Sequence, residues 1–84
     1  MIEKIFKALA NKRRLAIIVY IKKKGQANVG DIAETIKLSF RSTSKHLNLL
    51  TSSGILDKDQ RGLNVNYSLA SDQPSLLKKI IDLI

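Results

Sequence analysis

Only Lys37, Leu38 and Ser39 separate two helical segments, and this short connection constrains the fold more than any other feature of the chain. Upstream, Asn28 is placed to cap a helix that runs through Ile36. Asp31 follows three residues later near the positive helix end, and Ile32, Ala33 and Ile36 line one side. Downstream, Ser39 is placed to cap a helix that runs to about Ser53, where Gly54 stops it. A connection of three residues holds two such helices at a steep angle, the helix-turn-helix arrangement.

The rest of the chain supplies elements to pack around that pair. Ile2, Ile5, Phe6 and Leu9 recur at helical spacing within residues 2–10 and predict a short amphipathic helix. Asn11 can cap a second segment, Lys12 to Lys24, whose interior LAIIVYI is apolar on all sides and β-branched enough to resemble a buried strand. Its thirteen residues, its closing run of three lysines and the stop at Gly25 decide for a helix.

After Gly54 the period changes to two. Ile55 and Leu56 open one strand, Arg61 and Gly62 make a turn, and Val65, Tyr67 and Leu69 alternate with Asn64, Asn66 and Ser68 on the way back. Pro74 stands at the first turn of a last helix in which Leu76, Leu77, Ile80, Ile81, Leu83 and Ile84 leave only Lys78, Lys79 and Asp82 for water. The expected fold is therefore mostly α with a small β-hairpin: a winged helix-turn-helix of about five helices, with a two-stranded wing over residues 55–69. Residues 1–84 are expected to form a single domain.

Composition narrows the classes of function. The chain has no cysteine, which removes disulfides, thiolate ligands and a thiol nucleophile together, and fits a reducing cytoplasm. Its longest apolar run, Leu15 to Ile21, is far short of the roughly 20 residues of a membrane helix, so a soluble, unprocessed chain is expected. The net charge of +8 is unevenly placed: residues 1–45 hold eleven Lys or Arg against three acids, and residues 46–84 hold four against four. Such a surplus attracts polyanions, nucleic acid first and anionic lipid or an acidic protein second.

At about 100° per residue, the helix after Ser39 has two separable faces. Thr43, Leu47 and Leu50 fall within an arc of roughly 60° suited to packing. Opposite lie Arg41, Lys45, Asn48 and Ser52, with Ser44 on the flank. Arg can bind a guanine edge bidentately, Asn an adenine edge, Ser either, and Lys guanine or a phosphate. Free N–H groups at the helix start add a phosphate anchor.

Three stretches, FKALANKRRLAIIVYI, VGDIAETIKLSFRSTSKHLNLLTSSGIL and RGLNVNYSL, resemble the arsenic-repressor (ArsR/SmtB) winged-helix family across nearly the whole chain. The pattern at Ser39, Ser44, His46, Leu47, Leu50 and Gly54 is its most specific part. The resemblance implies a sequence-specific regulator of transcription, a repressor in type. DNA contacts would fall on Phe40, Arg41, Ser44 and Lys45, a wing tip around Arg61 would meet the backbone or minor groove, and the terminal helices would form a symmetric dimer.

Phe40 is open between two roles, because it lies only about 20° from Leu47 around the helix and so leans toward the packed side. Lys37 stands where a turn glycine is common, Thr43 where valine is usual, and Leu63 where the wing often has arginine. The wing's grip then rests on Arg61 and Lys58, with Asp57 and Asp59 expected to point away from the duplex. The cluster Lys12, Arg13 and Arg14 can meet phosphate, stay solvated or pair internally. The run Lys22 to Lys24 is read as satisfying its own helix dipole.

Rival classes are weaker. One histidine, no cysteine and no carboxylate cluster leave an enzyme only Ser42 and His46, one helical turn apart. A winged helix can also serve as a protein-protein interaction module in a larger assembly, but it would then show an apolar patch where this chain has Arg41, Lys45 and Asn48. A homodimer is expected through Ile2, Ile5, Phe6 and Leu9 of the first helix and Leu76, Leu77, Ile80, Ile81 and Ile84 of the last. No membrane, cofactor or metal is expected: the family's cysteine pair would fall on Asn28 and Gly30, and the last helix offers Asp82 with Asp72 just before it and no histidine.

Overall fold

A computed structural model describes residues 2–84. Its elements follow the order α1 (Ile2–Leu9), α2 (Lys12–Lys24), β1 (Gln26–Asn28), α3 (Val29–Ile36), α4 (Phe40–Ser52), β2 (Leu56–Arg61), β3 (Asn64–Leu69) and α5 (Ser75–Leu83). Side chains begin the helices where the sequence places caps. Asn11 Oδ1 accepts from the N–H groups of Arg13 and Arg14 at 2.9 and 3.1 Å, Asn28 Oδ1 from that of Asp31 at 2.8 Å, and Ser39 Oγ from that of Ser42 at 3.1 Å.

The turn between α3 and α4 closes on a left-handed residue. Lys37 has φ 55° and ψ 51°, its N–H donates to the Glu34 carbonyl at 3.3 Å, and the Leu38 N–H reaches back to Ala33 O at 3.0 Å. Lysine takes this conformation at a cost of about 1–2 kcal/mol that glycine would not incur. The double closure onto α3 offsets that cost and fixes the direction in which α4 leaves.

The wing belongs to a larger sheet than the sequence suggests. β1 pairs antiparallel with β3, matching Ala27 with Tyr67, so the sheet is three-stranded in the order β1-β3-β2. The expected two-stranded hairpin is present as β2 and β3, with Arg61 opposite Asn64. β1 ties it to the helix-turn-helix, because Asn28 is both the last residue of β1 and the cap of α3.

α2 is the central helix of the core, with Ile17, Ile18 and Ile21 fully buried against Ile32, Leu47, Leu50, Ile55, Leu56, Tyr67 and Leu77. α4 turns Thr43, Leu47 and Leu50 into this core, all at 0 % exposure, as the arc of its packed face requires. The Thr43 hydroxyl finds no hydrogen-bond partner among the described residues. A buried hydroxyl without a partner costs roughly 1–3 kcal/mol, and valine has the same shape. Thr43→Val is therefore expected to raise stability by about 1–2 kcal/mol in urea unfolding. A loss of stability would mean that the hydroxyl is satisfied in solution.

Candidate nucleic-acid interface

The outer face of α4 is free. Arg41, Lys45 and Asn48 are exposed, Ser44 is half-buried, and among the described residues no side-chain hydrogen bond or ion pair engages any of the four. Ser52 lies on the same side, but its hydroxyl donates to its own helix at Leu49 O, 3.0 Å away. A rigid helix thus presents one fork-shaped cation, one point cation, one amide and one hydroxyl with unused bonding capacity.

Phe40 does not enter the core. It is 63 % exposed and borders a shallow groove shared with Asn28, Val29 and Gly30 and with Leu63, Asn64 and Val65 of the wing. Helical side chains tilt toward the N-terminus, so the first residue of α4 projects beyond the packed body. That position overrides the angular closeness to Leu47 and leaves an aromatic ring beside Arg41.

The wing's charges are less simply arranged than their count suggests. Strand alternation puts Asp57, Asp59 and Arg61 on one face of β2, and Lys58, in register with Tyr67, on the other. Arg61 Nε pairs with Asp59 Oδ2 at 3.1 Å, with the two side chains 82 % and 59 % exposed. Asp59 therefore shares a face of β2 with Arg61 and offsets part of its charge. Asp57 is occupied elsewhere, its Oδ2 accepting from the Ser71 N–H at 3.1 Å.

Most of the remaining arginine charge is structural. Arg13 donates through Nη1 to Ile36 O at 3.0 Å, closing the end of α3. Arg14 donates through Nε to Ala8 O at 2.6 Å and through Nη2 to Lys7 O at 3.3 Å, closing the end of α1. Of the alternatives open for this cluster, internal pairing holds for Arg13 and Arg14, while Lys12 is exposed. Lys22 likewise serves another helix, not its own: its Nζ donates to Ile81 O at 3.0 Å and Asp82 O at 3.3 Å at the end of α5.

Arg14 also reaches α4, with Nη1 3.2 Å from His46 Nδ1. Burial pushes the His46 imidazole below its ordinary value, and the charges of Arg14 and Arg13 add to the shift. A neutral ring can accept from Arg14 through Nδ1, whereas a protonated ring cannot. Because the unfolded chain takes up this proton first, stability is present above pH 6.5 and falls as pH drops below it. His46→Gln is expected to flatten stability over that acid range, and an unchanged slope would exclude His46 as its source.

The terminal helices divide their apolar residues between two surfaces. Ile5, Leu9, Leu77 and Ile81 are buried in the chain's own core. Ile2, Phe6, Leu76 and Ile84 remain 51, 48, 42 and 42 % exposed, and Ile80 is half-buried. Ile2, Ile5, Phe6, Pro74, Leu76, Leu77 and Ile80 line a cleft of about 220 Å³ between α1 and α5. Leu83, outside the expected interface set, is 85 % exposed at the end of α5, a position its neighbours Leu76 and Ile80 mark by helical spacing. No helix among the described residues is long and apolar enough to cross a membrane.

Comparison with known proteins gives one answer. The family described as "Bacterial regulatory protein, arsR family" matches residues 11–58, from the cap of α2 into β2. The chain is 36 % identical over 78 residues to the arsenical resistance operon repressor of Escherichia coli K12, covering 93 % of this chain and 67 % of that protein. Among solved structures it is similar to HlyU from Vibrio cholerae, with a TM-score of 0.82 at 30 % identity over 95 % of this chain and 83 % of that one. It is also similar to a homodimeric winged helix-turn-helix DNA-binding domain from Mycobacterium bovis, a possible ArsR-family regulator, with a TM-score of 0.82 at 27 % identity over 98 % and 72 % of the two chains. With its helix-turn-helix wholly inside the family match and a relative 36 % identical across 93 % of its length, this chain belongs to the ArsR family of bacterial regulatory proteins.

Proposed function

We propose that the chain is a homodimeric, sequence-specific repressor that reads the major groove of double-stranded DNA with α4 and holds the flanking duplex with the β2–β3 wing. The observation that carries this reading is the unengaged outer face of α4, seated on a fully buried inner face. Arg41 suits a guanine edge, Asn48 an adenine edge, Ser44 either, and Lys45 a guanine or a phosphate. Phe40, exposed at the start of the helix, suits a thymine methyl. The free amides of the first turn of α4 face a phosphate, and Arg61 and Lys58 neutralise others from the two faces of the wing.

Two copies meet through the exposed apolar residues of α1 and α5 and set two reading helices about 34–36 Å apart on one side of the duplex, and the similar domain from Mycobacterium bovis is likewise homodimeric. Occupying a site in this way excludes other proteins from it, and the similar Escherichia coli protein is named an operon repressor. Such a target places its work in the cytoplasm. A protein-docking module is disfavoured because the outer face of α4 carries Arg41, Lys45 and Asn48 where a partner would need an apolar patch.

Fluorescence anisotropy with a labelled random-sequence duplex of about 30 bp tests DNA binding itself. Affinity should fall by about 10³-fold or more between 50 and 200 mM salt, as released counterions require. No binding at the lower salt concentration would contradict the reading.

Regulation without metal is part of the same proposal. Asn28 Oδ1 is already committed to capping α3, and no group of three or more His, Asp or Glu comes together among the described residues. Soft or borderline cations need several imidazole or thiolate donors, and His46 is the chain's one such residue. Calorimetric titration with zinc, copper and nickel is expected to show no stoichiometric binding and no change in DNA affinity at constant ionic strength. A submicromolar site that releases DNA would overturn this.

A further inference from the structure

Leu63 occupies the turn that closes the wing, between paired Arg61 and Asn64. Gly62, the first central residue, has φ 62°, and Leu63, the second, is not among the positive-φ residues. That combination fits a type II′ turn, in which the second position accepts almost any side chain. The turn therefore does not require leucine. Yet Leu63 is 102 % exposed, more than any other large apolar side chain among the described residues. Nothing among the described residues covers it, and it is not one of the residues that line the α1–α5 cleft.

Its surroundings indicate which surface it serves. The shallow groove bordered by Phe40 runs from the start of α4 to Leu63, Asn64 and Val65, so the wing tip and the reading helix share one face. Arg61 flanks the tip with a guanidinium already partnered by Asp59. The turn itself thus exposes an isobutyl side chain, and the cation next to it is already paired.

We propose that Leu63 is an apolar wedge: with α4 in the major groove, the wing tip enters the neighbouring minor groove and Leu63 presses against a base step there and bends the duplex. This rests on the reading of α4 as the DNA-reading helix. Leucine makes no hydrogen bond to a base edge and no ion pair with phosphate, so its gain in a minor groove comes from contact with deoxyribose and base faces. Reaching those faces requires partial unstacking, which kinks DNA toward the major groove. Pyrimidine–purine steps unstack most readily, so the wedge also selects sites that carry TA or CA where the wing lands. Arginine at this position would act differently, adding charge to a narrow groove without opening a step.

The test uses duplexes recovered by selection from a random pool, labelled at both ends for energy transfer, with the full chain and two variants. The unsubstituted protein is expected to bend them by about 20° or more. Leu63→Ser should lose at least half of that bend and roughly five- to tenfold in affinity on duplexes with a pyrimidine–purine step under the wing, and less on duplexes with an A-tract there. Leu63→Arg should recover affinity, leave the duplex nearly straight and steepen the salt dependence by about one unit per wing. Equal bends in all three proteins, or a straight complex with the unsubstituted chain at full affinity, overturn the wedge alone. A change in sedimentation of Leu63→Ser would reassign Leu63 to a contact between copies and overturn it too. Failure of every duplex to bind would remove the DNA-reading role of α4, and the wedge with it.

Discussion

Phe6→Asp is expected to turn a dimer into a folded monomer and to lower DNA affinity by at least 100-fold. Phe6 is half exposed in the single chain, so an aspartate there removes little of the chain's own core. In a two-fold interface the same residue occurs on both copies, and each substitution buries a carboxylate among Ile2, Leu76 and Ile80. Two such penalties of several kcal/mol act directly against association. Separated copies then bind half-sites independently and lose the gain from joint engagement, which reaches 10²–10⁴-fold in linked systems. Leu76→Asp should behave alike, whereas Leu77→Asp, with its side chain 1 % exposed, should unfold the chain. Sedimentation equilibrium with circular dichroism separates these outcomes. A dimer that survives Phe6→Asp and Leu76→Asp would place the interface elsewhere.

Arg41→Ala carries the second large effect. Arg41 is exposed and unengaged, so the substitution should leave stability nearly unchanged while removing a bidentate base contact. The expected cost is about 1–3 kcal/mol per half-site on the preferred sequence and much less on random DNA, so discrimination itself falls. Arg61→Ala should weaken all sequences alike and reduce the salt slope by at most about one unit, because Asp59 already offsets part of that charge. Asp59→Asn should do the reverse and tighten binding without regard to sequence. Competition titrations at two salt concentrations distinguish base reading from charge, and identical behaviour of Arg41→Ala and Arg61→Ala would contradict the division of roles.

Much of this fold is legible in the local chemistry of the sequence. Asn11, Asn28 and Ser39 cap as their side chains dictate, Gly25 and Gly54 take positive φ at helix ends, and the arc of Thr43, Leu47 and Leu50 is the buried face of α4. What local chemistry does not reveal depends on approach across the chain. β1 has three residues and one buried side chain, Ala27, too short for a period to show, and its pairing partners lie some forty residues on. The arginines Arg13 and Arg14 close the ends of α3 and α1, and Lys22 the end of α5; only tertiary packing brings those carbonyls within reach. The exposure of Phe40 is hidden for a different reason: an angle around the helix axis says nothing of position along it. The direction of Asp59, by contrast, follows from strand alternation with Arg61.

Sequencing the duplexes that survive several rounds of binding, drawn from a random pool, tests the reading role of α4 most directly. The expected result is a pair of inverted half-sites whose centres lie about one helical turn, 10–10.5 bp, or a small multiple apart. A pool prepared with Arg41→Ala should show degeneracy at one position of each half-site. Recovery of unenriched sequence by the unsubstituted protein, or of the same half-sites by Arg41→Ala without any relaxation, would contradict the assignment of α4 as the reading helix.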